Sequence, residues 1–374
     1  MNRISRVAFI LCASFVSVAW GKPPACTADT PWVEFHRSNM QRWNWCENLL
    51  SVNTVGNLGL KWNFTALDYV FSSPAVLSGV VYVGSDDHNL YALNATTEAK
   101  LWSFTTGAVV ASSPAVTNGV VYVESYDKNV YALNASTGTT LWNSSGGGFS
   151  SPAVVNGMVY VGSDDHNVSA LNATTGAKLW HYTTGGMVSS SPVVANGVVY
   201  VGSYDNNVYA LNASTGAKLW SYAAGNVVLS SPAVANGAVY FGSYDKKVYA
   251  LNASTGAKLW SYAAGDVVAS SPAVANGAVY FGSFDKKVYA LSAKTGVKLW
   301  SYTTGGLVYS SPAVANGVVY VGSYDKNVYA LSAKTGAKLW SYTTGGGVYT
   351  SPSVANGVVY VGSDDGNVYA FGLK

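Results

Sequence analysis

Between Ser231 and Tyr262 the chain reads SPAVANGAVYFGSYDKKVYALNASTGAKLWSY, and apolar and polar positions alternate at a period of two through most of it. That period marks strands with one face toward a core, because successive side chains of a strand point to opposite faces. Four short strands are predicted, at SPAV, AVYFGS, KVYALN and KLWSY, with turn sequences ANG, YDK and ASTG between them. Asn236-Gly237 predicts a two-residue hairpin, since both residues tolerate positive φ. Gly256 offers a left-handed position after Ser254-Thr255. Pro232 heads the first strand, where no ladder donor is lost.

The same pattern returns along the chain. Ser-Pro prolines stand at 74, 114, 152, 192, 232, 272, 312 and 352, spaced by 40, 38 and then 40 five times. Trp62, Trp102, Trp142, Trp180, Trp220, Trp260, Trp300 and Trp340 follow the same spacing. Repetition at this length, with four strands per unit joined up and down, predicts the blades of a β-propeller. The ends fit together by their mismatch. The last unit stops at Val368-Tyr-Ala-Phe-Gly-Leu-Lys374 without its KLW strand, and Leu58-Gly-Leu-Lys-Trp-Asn-Phe64 is a KLW strand without partners. Joining them closes the ring and removes the sheet edge that invites aggregation. An open solenoid would need polar capping repeats, and none is evident. The expectation is an all-β protein: a closed eight-bladed propeller of four-stranded antiparallel blades over 58–374, with strand 58–64 completing the last blade.

Two segments precede the repeats. Residues 1–21 carry Arg3 and Arg6, the apolar run VAFILCASFVSVAW and an Ala19-Trp20-Gly21 ending. This is the form of a cleaved secretory signal peptide; the run is shorter than the roughly 20 apolar residues needed to span a bilayer. A secreted or periplasmic location follows, with no transmembrane segment. Residues 22–57 form an N-terminal arm. Cleavage leaves Cys26 and Cys46, and an even pair in an oxidising compartment points to one disulfide, the alternative being two free thiols.

Composition narrows the partners. Without Arg3 and Arg6 the chain has 19 Lys+Arg (21 minus 2) against 18 Asp+Glu, and no basic run. That balance gives no electrostatic reason for nucleic acid or an anionic membrane. Charged residues make up only 10% of the chain, as expected of turn-rich extended structure rather than helices.

The stretch Ala210-Leu-Asn-Ala-Ser-Thr-Gly-Ala-Lys-Leu-Trp220 resembles the tryptophan-docking motif A-x-D-x-x-T-G-x-x-x-W of PQQ-repeat (pyrroloquinoline-quinone-type) propellers, with Asn in place of Asp. The resemblance covers 58–374, and the motif recurs in the seven units that run on to their own tryptophan, although Glu98 replaces the glycine in the first. It implies that each recurrent tryptophan docks structurally on a neighbouring blade. The family includes quinone-dependent alcohol and sugar dehydrogenases and non-enzymatic scaffolds of outer-membrane protein assembly. Its dehydrogenases use PQQ with calcium, a disulfide of adjacent cysteines, and an arginine near the quinone. This chain has no adjacent cysteines, no arginine after Arg42 and no long insertions between blades. No cofactor is therefore expected, and PQQ with calcium is retained as the alternative.

Positions that vary among matching units mark where a ligand could bind. Three residues before each proline stand Phe71, Ala111, Phe149, Ser189, Leu229, Ala269, Tyr309 and Tyr349; before the recurrent Asp stand Asp86, Tyr126, Asp164, Tyr204, Tyr244, Phe284, Tyr324 and Asp364. Both sets are expected at one mouth of the ring. The aromatic candidates there are Phe71, Phe149, Tyr309, Tyr349, Tyr126, Tyr204, Tyr244, Phe284 and Tyr324, the competing reading being packing between blades. Glu124, alone where the other units have Gly, is a further candidate at the mouth, able to ligate a cation or act as an acid or base, the competing reading being neutral drift. The recurrent Asp, once per turn, is expected to accept backbone hydrogen bonds. His88, His166 and His181 have no metal-ligand spacing. Sequons such as Asn94-Ala-Thr96 and Asn252-Ala-Ser254 coincide with a repeat turn. The leading function is a non-catalytic exported module binding a protein or glycan partner at the cell envelope. The alternatives are a quinone-dependent dehydrogenase and a purely structural envelope protein.

Overall fold

The computed structural model describes Cys26, Thr30, residues 32–35 and residues 41–374; the expected signal peptide lies outside the described residues. Eight sheets surround an axis. The fifth blade shows the pattern: Ala233–Ala235, Ala238–Gly242, Lys247–Asn252 and Lys258–Ala263 run antiparallel in chain order. The strands fall where the alternation places them, except that the Ser-Pro pair precedes the first strand rather than belonging to it. Asn236 and Gly237 take φ of 48° and 78°, the two positive values the hairpin requires. The last pair of strands contains a bulge between Ala250↔Trp260 and Leu251↔Lys258, which turns Leu259 out to solvent.

The eighth blade is shared by the two ends of the repeat array. Leu58–Thr65 pairs antiparallel with Asn367–Leu373, with Trp62 opposite Ala370, and completes the sheet of Ser353–Ala355 and Val358–Gly362.

The core is distributed among the interfaces between blades. One such layer joins Tyr240, Val248 and Trp260 of the fifth blade to Val274, Phe281 and Leu291 of the sixth. Each tryptophan reaches across its interface. Trp260 Nε1 donates to the Ala293 carbonyl at 3.0 Å, and a Cβ added to Gly296 would stand 2.7 Å from the indole. Gly296 also has φ of 70°, so both the turn and the indole require glycine there. In the first blade Glu98 adopts φ of 59° at the equivalent position, while Trp62 still donates to Ala95 at 2.9 Å. Trp340 departs from the pattern and donates to the Leu58 carbonyl at 3.1 Å, because the arm and the closing strand occupy that side. Asn in place of Asp keeps the turn intact: Asn252 Oδ1 accepts from the amides of Ser254 and Thr255, both at 3.0 Å.

The arm enters the ring along its innermost strands. Trp32 pairs with Val76, the Val33 carbonyl accepts from Val116, and Glu34 accepts from the Val154 amide. Further along, the Gln41 carbonyl accepts from Val274, and Trp43–Asn44 adds a parallel strand to Ala313–Ala315 of the seventh blade. Glu47 fixes the far end by accepting from the amides of Leu49 and Gly357 at 2.8 and 2.9 Å. Cys26 and Cys46 form a disulfide with Cα atoms 5.3 Å apart.

Candidate functional site: an axial cup

The first strand of every blade begins at the axis, and the serine of its Ser-Pro pair forms a ring there. The Ser73 amide donates to Ser113 Oγ, Ser113 to Ser151, and so on around the molecule until Ser351 donates to Ser73 Oγ at 3.0 Å. The cycle returns to its starting residue only because the propeller is closed.

Above the serines opens a cup of about 710 Å³. Tyr69, Phe71, Tyr126, Phe149, Tyr309 and Tyr349 contribute aromatic wall, and Asp86 and Asp364 contribute carboxylates. Phe71 and Tyr309 each meet Tyr349 edge-on, at 5.7 and 6.0 Å between ring centroids, and Phe149 packs against Tyr126 at 3.8 Å. The arm reaches the cup as well, through Phe35. Arg42, fully buried, lies behind Phe35 with its guanidinium 4.6 Å from that ring and 5.3 Å from the ring of Trp32. Its nitrogens donate to the carbonyls of Pro312, Pro352 and Phe35. Burial lowers the Arg42 guanidinium to about 9.

The structure thus brings Phe71, Phe149, Tyr126, Tyr309 and Tyr349 into the cup. Tyr204, Tyr244, Phe284 and Tyr324 do not line it. They form a rim around it, linked inward by Phe284 to Tyr309 at 6.0 Å and Tyr324 to Tyr349 at 5.2 Å. Glu124 is sealed beneath the wall, wholly buried, accepting from Gly148 N at 2.9 Å and Ser150 Oγ at 2.6 Å.

The position of Glu124 has a packing explanation. In the other units a Cβ at this strand position would collide with a loop valine; at Gly242, for example, it would lie 2.4 Å from the Val268 carbonyl. In the loop above Glu124 that valine is replaced by Gly148, and the loop is two residues shorter, which accounts for the 38-residue step. Volume has moved from the loop to the strand, and a carboxyl fills the space. Burial pushes the Glu124 carboxyl well above the usual range, and Asp164 adds to this against the opposing bonds from Ser150 and Gly148.

The recurrent Asp is a structural hub. Asp127 accepts from the amides of Asn129 and Gly107 at 2.9 and 2.8 Å and from the Tyr131 hydroxyl at 2.6 Å, so it ties its own turn to the preceding interblade loop. Burial works against its charge, but these bonds outweigh burial and hold the carboxyl below its ordinary value. Asp165 lacks the tyrosine bond because Ser169 replaces that tyrosine. Among the described residues no three His, Cys, Asp or Glu side chains assemble into a group able to hold a metal ion, and no helix is long and apolar enough to cross a membrane.

An eight-bladed ring with docked tryptophans, closed through its N-terminal strand and opening on an axial cup, defines a PQQ-type repeat propeller. The family model described as outer membrane protein assembly factor BamB matches residues 59–151, 143–232, 225–308 and 303–374, and this chain belongs to that family. Among solved structures, BamB from Moraxella catarrhalis is similar at 21% identity and a TM-score of 0.74, over 84% of this chain and 99% of that one. A europium-containing methanol dehydrogenase is similar at 16% identity and a TM-score of 0.80, over 92% and 98%. The quinohemoprotein alcohol dehydrogenase from Comamonas testosteroni is similar at 16% identity and 0.81, over 91% and 80%. At these identities the likeness extends to the fold alone. No curated protein matches in sequence.

Proposed function

We propose that this chain is an exported, non-catalytic binding module that holds a protein partner at the cell envelope against its cup face. The observation that carries this reading is where the units differ. Positions that build strands, turns and tryptophan docking are nearly invariant, whereas the two positions facing the mouth change from unit to unit among Asp, Tyr, Phe, Leu, Ser and Ala. A chain under selection only for shape has no reason to diversify one face of a repeat and leave the rest alike. That face also exposes large apolar groups, with Leu67 88%, Tyr69 51%, Phe149 51% and Tyr324 51% exposed. Clustered apolar exposure of this kind is characteristic of interaction surfaces. The family's description as an outer membrane protein assembly factor supports the same reading.

The likeness to solved dehydrogenases keeps a quinone-dependent activity as the second reading, and the residues at the cup do not fit it. Among the described residues no three His, Cys, Asp or Glu side chains come together at the cup to hold a calcium ion. Among the described residues the arginine near the axis, Arg42, spends its guanidinium on the carbonyls of Pro312, Pro352 and Phe35, behind Phe35. Protein and glycan partners separate experimentally. A photo-crosslinking residue placed at Leu67 or Tyr204 on the cup face should trap a discrete protein in cells, and one at Leu219 on the outer girdle should not. Crosslinks from the girdle alone, or protein binding to neither face alongside retention of envelope polysaccharide, would overturn the proposal.

A further inference from the structure

Among the units of this array, three place aspartate before the recurrent Asp and five place an aromatic, so the mouth is divided chemically where the fold is regular. Asp364 and Asp86 come from adjacent blades, and Tyr126 and Asp164 continue the same arc. Among the described residues, Asp86 Oδ1, Asp364 Oδ1 and the Tyr126 hydroxyl are buried and find no hydrogen-bond partner. Buried polar atoms are nearly always satisfied, and these three stand unpaired in side chains that form the wall of the cup, two of them carboxylates. Among the described residues that line the cup there is no lysine, arginine or histidine. Aromatic faces, the remaining wall, attract cations through their quadrupole.

We propose that the cup is a receptor for a basic side chain, a lysine or arginine presented by the protein partner, whose charged head lies between Asp86 and Asp364 against the rings of Phe71 and Tyr349. The inference rests on the binding-module reading above and specifies the chemistry of that site. Room is ample: about 710 Å³ accommodates a long side chain with its flanking backbone. An anionic ligand meets two carboxylates, and a neutral one leaves their charges unpaired.

The carboxylates are also held at a cost to the free protein. Burial is the larger cause pushing the Asp364 carboxyl up to about 6, with Asp365 and Asp86 repelling it further. Asp86 is raised to about 6 in the same way, first by burial and then by Asp68 and Asp87, with His88 opposing. Folded values above the unfolded ones mean that these groups contribute stability at low pH, and that this is lost as pH rises through about 6. A bound cation reverses that penalty.

The test titrates the full protein with acetyl-Gly-Lys-Gly-amide, using acetyl-Gly-norleucine-Gly-amide as an uncharged control, and follows binding by NMR line shifts at pH 7.5 and pH 5. The lysine peptide is expected to bind at least tenfold more tightly than the control at pH 7.5. The advantage should shrink at pH 5 and disappear in the double variant Asp86→Asn/Asp364→Asn. The same variant should melt above the wild type at pH 7.5 and not at pH 4, which shows that it folds and that the carboxylates are strained in the free state. Equal binding of the two peptides, undiminished binding by the double variant, or a melting temperature that falls at pH 7.5 overturns the inference. Unchanged crosslinking from position 67 in the double variant would overturn it too, yet leave the binding-module function standing; loss of crosslinking in the wild-type background strikes the function itself.

Discussion

Removing one docked indole tests the structural argument most quantitatively. Trp260 is 9% exposed, lies 5.8 Å from the Tyr240 ring, donates to the Ala293 carbonyl at 3.0 Å and leaves no room for a Cβ on Gly296. An indole buries roughly 150–250 Å², which at about 25 cal/mol per Å² gives roughly 4–6 kcal/mol as an upper bound. Trp→Ala in a packed interface, counting the space left behind, costs about 3–5 kcal/mol. Trp260→Ala is therefore expected to lose about 3–5 kcal/mol, whereas Trp260→Phe, which keeps a ring against Gly296 and forfeits mainly the N–H bond, loses about 1–2 kcal/mol. Urea melts followed by far-UV circular dichroism, with the free energy compared between variants at constant slope, read the difference. A loss below about 1 kcal/mol for the alanine variant, or equal losses for alanine and phenylalanine, would refute docking as the link between blades.

Two further substitutions probe the places where the units depart from their own pattern. Glu98→Gly puts glycine at φ of 59°, as in the other complete units, and should raise stability by about 1 kcal/mol by relieving the left-handed backbone; a destabilised variant contradicts that account. Glu124→Gln keeps the contacts to Gly148 and Ser150 and removes the titration. Because burial raises the Glu124 carboxyl, its stability contribution is present at low pH and lost as pH rises through the folded value. The variant should match the wild type at pH 5 and melt higher at pH 9, and a variant that melts lower at pH 9 would show that the ionised carboxylate is stabilising.

The repeat is written so plainly in the sequence that strands, turns, blade number and closure follow from spacing alone. Period two and Asn-Gly set the hairpins, and the orphan strand around Trp62 identifies its partner by elimination. The arm is different. Trp32, Phe35 and Arg42 carry no periodic signal: the Arg42 guanidinium packs on the rings of Trp32 and Phe35 and finds carbonyls at Pro312 and Pro352, far away in the chain. Nothing local in the sequence points to those partners. Ser-Pro was visible in every unit as a strand start, but its serine ring depends on eight blades converging on one axis. Glu124 had a legible companion, since the missing valine and the short step both occur in the loop that covers it. Tyr204, Tyr244, Phe284 and Tyr324 were separable from the cup only by depth, a coordinate that alternation along a strand does not encode.

The cup exists only if the ring closes, so closure bears the weight of the whole account. Thr65 and Asn367 face each other across the shared eighth blade, with Thr65 Oγ1 donating to Asn367 Oδ1 at 2.6 Å. In a Thr65→Cys/Asn367→Cys variant, oxidation should form an intramolecular crosslink, seen as faster migration of the denatured monomer, at every protein concentration. A variant that stays uncrosslinked, or links only between molecules as concentration rises, would mean that the two ends do not share a sheet.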